Sequence, residues 1–124
     1  MELIARCFYP STVEEIKHNL RQESHPFAKK CLEAMDRNSN LSMALALKML
    51  RQAITSDYTS CLKMEINVAS KMIETKDFDA GVEQVLLSAK ATKGQKNPNT
   101  AKYSSTGKEN LDAYFEGAAW AKDI

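Results

Sequence analysis

The chain has 124 residues, a formal net charge of +1 and a hydrophobic fraction of 44%. This length fits one domain with a modest core, and the balanced charge argues against a broadly basic nucleic-acid surface. No apolar run approaches the roughly 20 residues that cross a membrane. The first residues resemble neither a signal peptide nor a transit peptide, so we expect no targeting segment in this sequence.

The first half of the chain carries the signals of three helices. Ser11 and Thr12 each precede a glutamate by three residues, which is the pattern of a capping box, and they predict a helix over about Thr12–Gln22. A second helix is expected to begin near Pro26, because proline suits the first helical position. A third is predicted over about Leu41–Ile54, where apolar residues fall on nearly every side.

Two interpretations of the third helix stay open. The polar run Asn38-Ser39-Asn40 can cap this helix, and its all-round apolar character predicts burial on most sides. It either forms the centre of the chain's own bundle or packs on a missing domain or second subunit, since exposed apolar area marks interfaces. In the second case, the candidate interface residues are Leu41, Leu45 and Met49.

The second half of the chain predicts three more helices and one loop. A fourth helix is expected over about Asp57–Thr75, and a fifth over about Asp79–Leu87 with Val82, Val85 and Leu86 turned inward. The polar stretch Ser88–Lys108 is typical of a long loop. A last helix begins at the capping box Thr106–Glu109 and docks through apolar side chains, namely Leu111, Tyr114, Phe115, Ala118 and Trp120.

These elements predict an all-α fold, a small helical bundle of about five to six helices. We divide it into a helical core over residues 1–87, a Lys/Ser/Thr-rich loop over residues 88–108 and a C-terminal docking helix over residues 109–124. The loop lysines carry point charges suited to phosphate, although a lysine-rich loop is more often simply solvated.

Catalytic motifs are missing from the sequence. The four glycines are scattered, the three cysteines are widely spaced, and no cluster has the spacing of zinc ligands. Cys31 and Cys61 fall at apolar helical positions and are expected to be buried, reduced thiols. His18 and His25 are expected on a solvated helix face or at a helix end. The sequence therefore predicts no catalytic residue, no metal site and no cofactor within this chain.

Three acidic residues invite a functional interpretation and have a simpler structural one. Asp77 and Asp79 flank Phe78 and could form a carboxylate pair, but aspartate favours turns and helix starts, so cap or turn roles are expected. Glu65 lies beside the apolar stripe of the fourth helix, where a half-buried carboxylate needs a partner, so a structural ion pair is expected.

An ordered series of short matches covers nearly the whole chain. It comprises Arg6-Cys7-Phe8, Thr12-Val13-Glu14-Glu15-Ile16, Asn19-Leu20, Pro26-Phe27-Ala28, Ser42, Leu47, Leu50, Leu62, Met64-Glu65, Asp77-Phe78, Gly81-Val82, Asn110-Leu111 and Phe115. In this series the chain resembles the C-terminal region of the 3-hydroxyisobutyryl-CoA hydrolase family, within the crotonase (enoyl-CoA hydratase/isomerase) superfamily. It departs from the family pattern at Ala80, where an acid is usual, and at Glu83, where a base is usual.

The resemblance implies a part of a thioester hydrolase of valine degradation. The family's catalytic groups lie in a preceding core, and its C-terminal helices pack over that core, shape the acyl-CoA pocket and support oligomer contacts. The implied partners are therefore the missing crotonase core or a second subunit, with acyl-CoA bound only in the intact enzyme and mitochondria as the implied location. Family members bring basic residues near a CoA phosphate, which makes Lys90, Lys93 and Lys96 candidates for that role. Because some relatives form part of mitochondrial ribosomes, a non-catalytic scaffold is the alternative.

Overall fold

A computed structural model describes the backbone of residues 2–90 and 102–116, and the side chains of the same ranges apart from residues 88–90. The described residues form seven α-helices and no strand, which confirms the predicted all-α fold. In chain order the helices are α1 Glu2–Phe8, α2 Val13–Arg21, α3 Pro26–Arg37, α4 Asn40–Ala53, α5 Tyr58–Met72, α6 Lys76–Lys90 and α7 Asp112–Phe115. Within these residues, no helix has both the length and the apolar character needed to cross a membrane.

Short polar side chains fix where most helices begin. The Thr12 hydroxyl accepts a hydrogen bond from the Glu15 amide at the start of α2. Ser39 caps α4 and Asp57 caps α5, each by accepting a hydrogen bond from the amide three residues later. His25 caps α3 through Nδ1, directly before the proline that opens this helix. Such caps satisfy amides that have no partner inside the helix, which explains why the sequence located these starts well.

The core consists of two apolar clusters. The first joins α1, α2 and α3 through the buried residues Cys7, Ile16, Leu20 and Ala28. The second joins α4 and α5 through Leu41, Leu45 and Val68, with the aromatic side chains of α7 packed against it. Leu47 of α4 packs against the first cluster, so α4 connects the two.

Helix α1 is the element that the sequence did not predict, and an arginine ties it to the rest of the chain. The guanidinium of Arg51, on α4, donates hydrogen bonds of 2.9–3.0 Å to the carbonyls of Phe8, Tyr9 and Pro10. These carbonyls follow or end α1, where the helix has no further N–H donors of its own to satisfy them. A long-range contact of this kind leaves no local sequence signal.

Helix α6 differs from its prediction in length and in the exposure of its apolar side chains. It begins three residues earlier than expected, at Lys76, where the Thr75 hydroxyl accepts a hydrogen bond from the Phe78 amide. It also continues to Lys90, through the first residues of the predicted loop. The apolar side chains expected to face inward are instead largely exposed, among them Val82, Val85 and Leu86. The prediction of their burial was therefore wrong.

Two further local predictions need correction. Cys31 and Cys61 are free thiols as expected, but both are half-buried, and the fully buried thiol is Cys7. At the C-terminal end, the Thr106 amide donates a hydrogen bond to Glu109, as the predicted capping box requires. The helix nevertheless begins only at Asp112 and is four residues long, so the capping box closes a turn before it.

Candidate functional site

The structure distributes the residues singled out from the sequence over different surroundings. Leu41 and Leu45 are at most 3% exposed and pack with Val68 inside this chain, while Met49 packs at the edge of the same cluster. The two leucines have little exposed surface with which to contact an outside partner. An interface role for these three residues stays a prediction. Lys90 is the last residue of α6, and its side chain lies outside the described residues together with the whole of Lys93 and Lys96.

The most developed polar feature is a buried carboxylate at the start of α6. Asp77 is 4% exposed. The Ser39 hydroxyl donates to Asp77 Oδ2 over 2.5 Å, and the Ser105 hydroxyl donates to the same oxygen. The amides of Ser104 and Ser105 donate to Asp77 Oδ1 over 2.9 and 3.2 Å. We call this set of four residues the Asp77 junction.

The Asp77 junction favours the ionised carboxylate. Burial acts to raise the pKa of Asp77, but the hydrogen bonds from Ser105, Ser39 and the two backbone amides together outweigh it and hold this pKa below its usual range. A carboxylate that accepts several hydrogen bonds is stabilised in its charged form, because a protonated one gives up part of its acceptor capacity. The junction is thus a structural anchor for a negative charge, and its acceptor positions are already used within the chain.

The junction binds the segment before α7 to the start of α4 and to the start of α6. Ser105 also accepts a hydrogen bond from the Leu41 amide of α4 over 2.9 Å, and the Asn40 side chain donates to the Ser105 carbonyl. Next along the segment, Gly107 has a φ of +81°, and a Cβ added there would meet Asn40 atoms at 3.4 Å. A glycine is favoured here by both its left-handed backbone and the close approach.

An apolar stripe on α6 lies beside the junction, and no other part of the described chain covers it fully. Phe78, Val82, Val85 and Leu86 recur at the spacing of one helical face, and their exposed fractions run from 43% to 67%. We call these four residues the α6 face. A groove of about 640 Å³ runs between this face and α4, with Met43, Ala46, Met72 and Tyr103 in its wall. From Lys76 to Leu87 the one buried side chain is Asp77, so α6 is held at its start and exposes its apolar side.

The remaining candidate groups do not assemble into a reactive constellation among the described residues. His18 is exposed on α2 and His25 caps α3, as the sequence predicted. Within the same part of the chain, no group of three or more His, Cys, Asp or Glu side chains could hold a metal ion. Glu65 is exposed on α5 and makes no ion pair with another described residue, contrary to the expected structural pair. Among the acidic residues singled out above, Asp77 is the one that belongs to a cluster of polar side chains, the Asp77 junction.

The role of Asp77 was missed because its partners come from far along the sequence. The Ser39 side chain is 38 positions before it, and Ser105 is 28 positions after it. The sequence showed only an aspartate near a helix start, which is an ordinary capping signal. The nearby Gly81 gives a weak hint in retrospect, since a Cβ there would meet the Tyr103 hydroxyl at 3.4 Å.

Comparisons with known proteins place the chain in a family. The enoyl-CoA hydratase/isomerase family model matches residues 1–115. The mitochondrial 3-hydroxyisobutyryl-CoA hydrolase of Rattus norvegicus is 32% identical over 116 residues, which cover 94% of this chain and 29% of the relative. The enzymes of the same name from Gallus gallus and Homo sapiens are 36% and 32% identical over 87 residues, covering 70% of this chain and 23% and 22% of their own lengths.

The chain spans less than a third of the length of these curated relatives. The resemblance inferred from the ordered matches is confirmed, since the relatives carry the name of the family to which those matches pointed. These relatives are named as mitochondrial enzymes, in agreement with the location that the resemblance implied. This chain therefore belongs to the enoyl-CoA hydratase/isomerase family.

Proposed function

We propose that this chain is the C-terminal helical module of a mitochondrial 3-hydroxyisobutyryl-CoA hydrolase-like protein. It packs over a crotonase core, shapes the acyl-CoA pocket or the oligomer contacts, and hydrolyses no thioester by itself. The observation that carries this proposal is the α6 face, an uncovered apolar surface in a chain that matches less than a third of its relatives. In this proposal, the core that covers the α6 face corresponds to the part of the relatives' sequence that this chain does not match.

The energetics of the α6 face support its burial in an assembly. Covering one large aliphatic or aromatic side chain stabilises by about 1.5–3 kcal/mol. The four side chains of this face are at least 43% exposed, so covering what remains would contribute about 3–6 kcal/mol before the cost of association. Exposed apolar patches of this kind mark interaction sites in soluble proteins.

The chemistry of thioester hydrolysis supports a dependence on a partner. The reaction needs a positioned acid or base and hydrogen-bond donors aimed at the developing oxyanion. The buried carboxylate of this chain, Asp77, is already engaged by two hydroxyls and two amides. We therefore assign catalysis to the core and a supporting role to this chain. A contact of Lys90, Lys93 or Lys96 with a CoA phosphate remains part of the proposal.

A chimera tests the proposed function. The matched region of the rat hydrolase is replaced by this chain, and hydrolysis of 3-hydroxyisobutyryl-CoA is compared with that of the rat enzyme truncated before the matched region. We expect turnover by the chimera and none by the truncated enzyme or by this chain alone. Turnover by the isolated chain would contradict the proposal. So would a folded, soluble chimera that is no faster than the truncated enzyme.

Two substitutions in the chimera test the assignment of the α6 face. Val85→Asp introduces a charge on this face, where the valine is 67% exposed, and is expected to lower turnover at least tenfold by weakening docking. Ile54→Asp is the matched control, because Ile54 is 79% exposed beyond the end of α4 and outside this face. A chimera disabled by Ile54→Asp and unaffected by Val85→Asp would place the core on the other surface.

The departures at Ala80 and Glu83 favour a second candidate, a non-catalytic scaffold derived from the same family. Both positions belong to α6, where Ala80 is half-buried and Glu83 is exposed. Restoring the family's acid and base in the chimera, by Ala80→Glu and Glu83→Arg, distinguishes the non-catalytic scaffold from the hydrolase module. Under the scaffold interpretation the unaltered chimera folds and assembles without turnover, and the double variant gains it. Purification of the native protein with mitochondrial ribosomal proteins would further support the scaffold.

A further inference from the structure

A cavity lined by a different face of α4 from the one beside the α6 face brings three cationic side chains together. It has a volume of about 590 Å³ and lies between α2, α4 and the segment around Gly107. Lys17 and Arg21 of α2 line it, as does Lys108 from the segment before α7. The acidic side chain in the lining is Glu14. Three positive charges and one negative charge therefore border one partly open cavity.

The ion pairs at this cavity leave an excess of positive charge. Lys17 is held in place, with a side chain only 15% exposed and its Nζ atom 3.2 Å from Asp36 Oδ1. Lys108 lies 3.8 Å from Glu14, but both of these side chains are largely exposed, and such a pair contributes little. Arg21 makes no ion pair within the described parts of the chain. Its planar guanidinium is suited to bidentate contact with a phosphate or carboxylate.

The other walls of the cavity are apolar or donate hydrogen bonds. Val13, Ala44, Leu47 and Leu111 supply apolar surface. Ser11, Thr12 and Thr106 supply hydroxyl groups. The first turn of α2 also borders the space, and the amides of a first helical turn favour a negative charge. An apolar wall with a few convergent polar groups is the usual composition of a small-molecule site.

We propose that this cavity binds a small organic anion, with an apolar body against α4 and a phosphate or carboxylate group between Arg21 and Lys108. Lys17 borders the same space, held in position by Asp36, which compensates most of its charge. This site shares no lining residue with the groove beside the α6 face, so it does not depend on the proposed docking of a core.

Binding is tested on the full chain by following backbone amide signals in NMR titrations with three probes. The probes are phenyl phosphate, benzoate and the neutral benzyl alcohol. We expect saturable shifts at residues that line the cavity for one or both anions, and at least tenfold weaker binding of benzyl alcohol. Tighter binding of phenyl phosphate than of benzoate assigns the phosphate class, and the reverse order assigns the carboxylate class. Equal binding of benzyl alcohol and both anions would overturn the proposal.

Two double variants that remove the same amount of charge distinguish anion binding at this cavity from attraction by the overall charge of the protein. Arg21→Gln with Lys108→Gln removes two cations from the cavity and is expected to weaken anion binding at least tenfold, since even one hydrogen bond to a charged group strengthens binding by a factor of about ten or more. Lys30→Gln with Arg37→Gln removes two exposed cations from α3, outside the cavity. Equal weakening by the two double variants would overturn the proposal. Both variants alter exposed or rim positions, so a folded spectrum is expected for each.

Discussion

Replacement of Asp77 by alanine tests the Asp77 junction most directly. The substitution removes the acceptor of two hydroxyls and two backbone amides. Ser39 is 5% exposed, so its hydroxyl would lose a partner out of reach of water, at a cost of about 1–3 kcal/mol. The donors of Ser104 and Ser105 lie in more open surroundings and would recover part of their loss by hydration. We therefore expect the free energy of unfolding to fall by about 3 kcal/mol.

Urea denaturation measures this loss against a matched control. With a dependence of about 2 kcal/mol per molar urea, the midpoint is expected to fall by about 1.5 M in Asp77→Ala. Asp79→Ala is the control, because Asp79 is also an acid in the first turn of α6 but is exposed. The control removes a similar favourable interaction with the helix dipole and is expected to cost less than about 1 kcal/mol. Equal midpoints for the two variants would refute the assignment of a buried anchor.

Four further predictions concern the same region. Ser39→Ala removes both the cap of α4 and a hydroxyl partner of Asp77, and should lower the free energy of unfolding by about 2 kcal/mol. Urea denaturation measures this loss, and the control Ser42→Ala, at an exposed position, should change the free energy of unfolding very little. Gly107→Ala forces a side chain onto a left-handed backbone and should cost about 1–2 kcal/mol in the same assay. Because the pKa of Asp77 is lowered in the folded state, its contribution is fully present above the ordinary carboxyl pKa near 3.8 and is lost as pH falls through the folded value. The difference in stability between the wild type and Asp77→Asn should therefore be constant near neutral pH and shrink below about pH 4. Val85→Ser in the isolated chain should change the unfolding free energy by less than about 0.5 kcal/mol, since this side chain is 67% exposed.

The sequence predicted the helices better than it predicted their surroundings, for a physical reason. Caps and apolar periodicity act within a few residues, so Thr12, Ser39 and Asp57 marked three helix starts. Periodicity also located the apolar stripe of α6, but it carries no information about what covers a stripe. A stripe that contains Val85 looks the same whether it faces the chain's own core or an outside partner.

The contacts that escaped prediction join residues distant in sequence. Arg51 reaches carbonyls about 40 positions earlier, and Asp77 reaches hydroxyls on both sides at separations of 38 and 28. Neither contact has a local signature, because each residue type is common on exposed helix surfaces. Burial of a charge is the feature that sets Asp77 apart, and burial is a property of the folded chain.

Two neighbouring residues at the start of α6 have different roles: one anchors the helix inside the chain, and the next begins its exposed apolar face. Asp77 is buried and holds α6 to α4 and to the segment before α7. Phe78, the next residue, is 43% exposed and begins the α6 face. Because successive positions on a helix point about 100° apart, fixing the first side chain also fixes the direction of the second. The Asp77 junction thus sets the orientation of the α6 face, the surface we propose for docking on a core, although Asp77 itself is almost completely buried. It follows that a substitution at Asp77 is expected to affect both stability and the proposed docking, whereas a polar substitution at Phe78, which is 43% exposed, is expected to weaken the proposed docking more than stability.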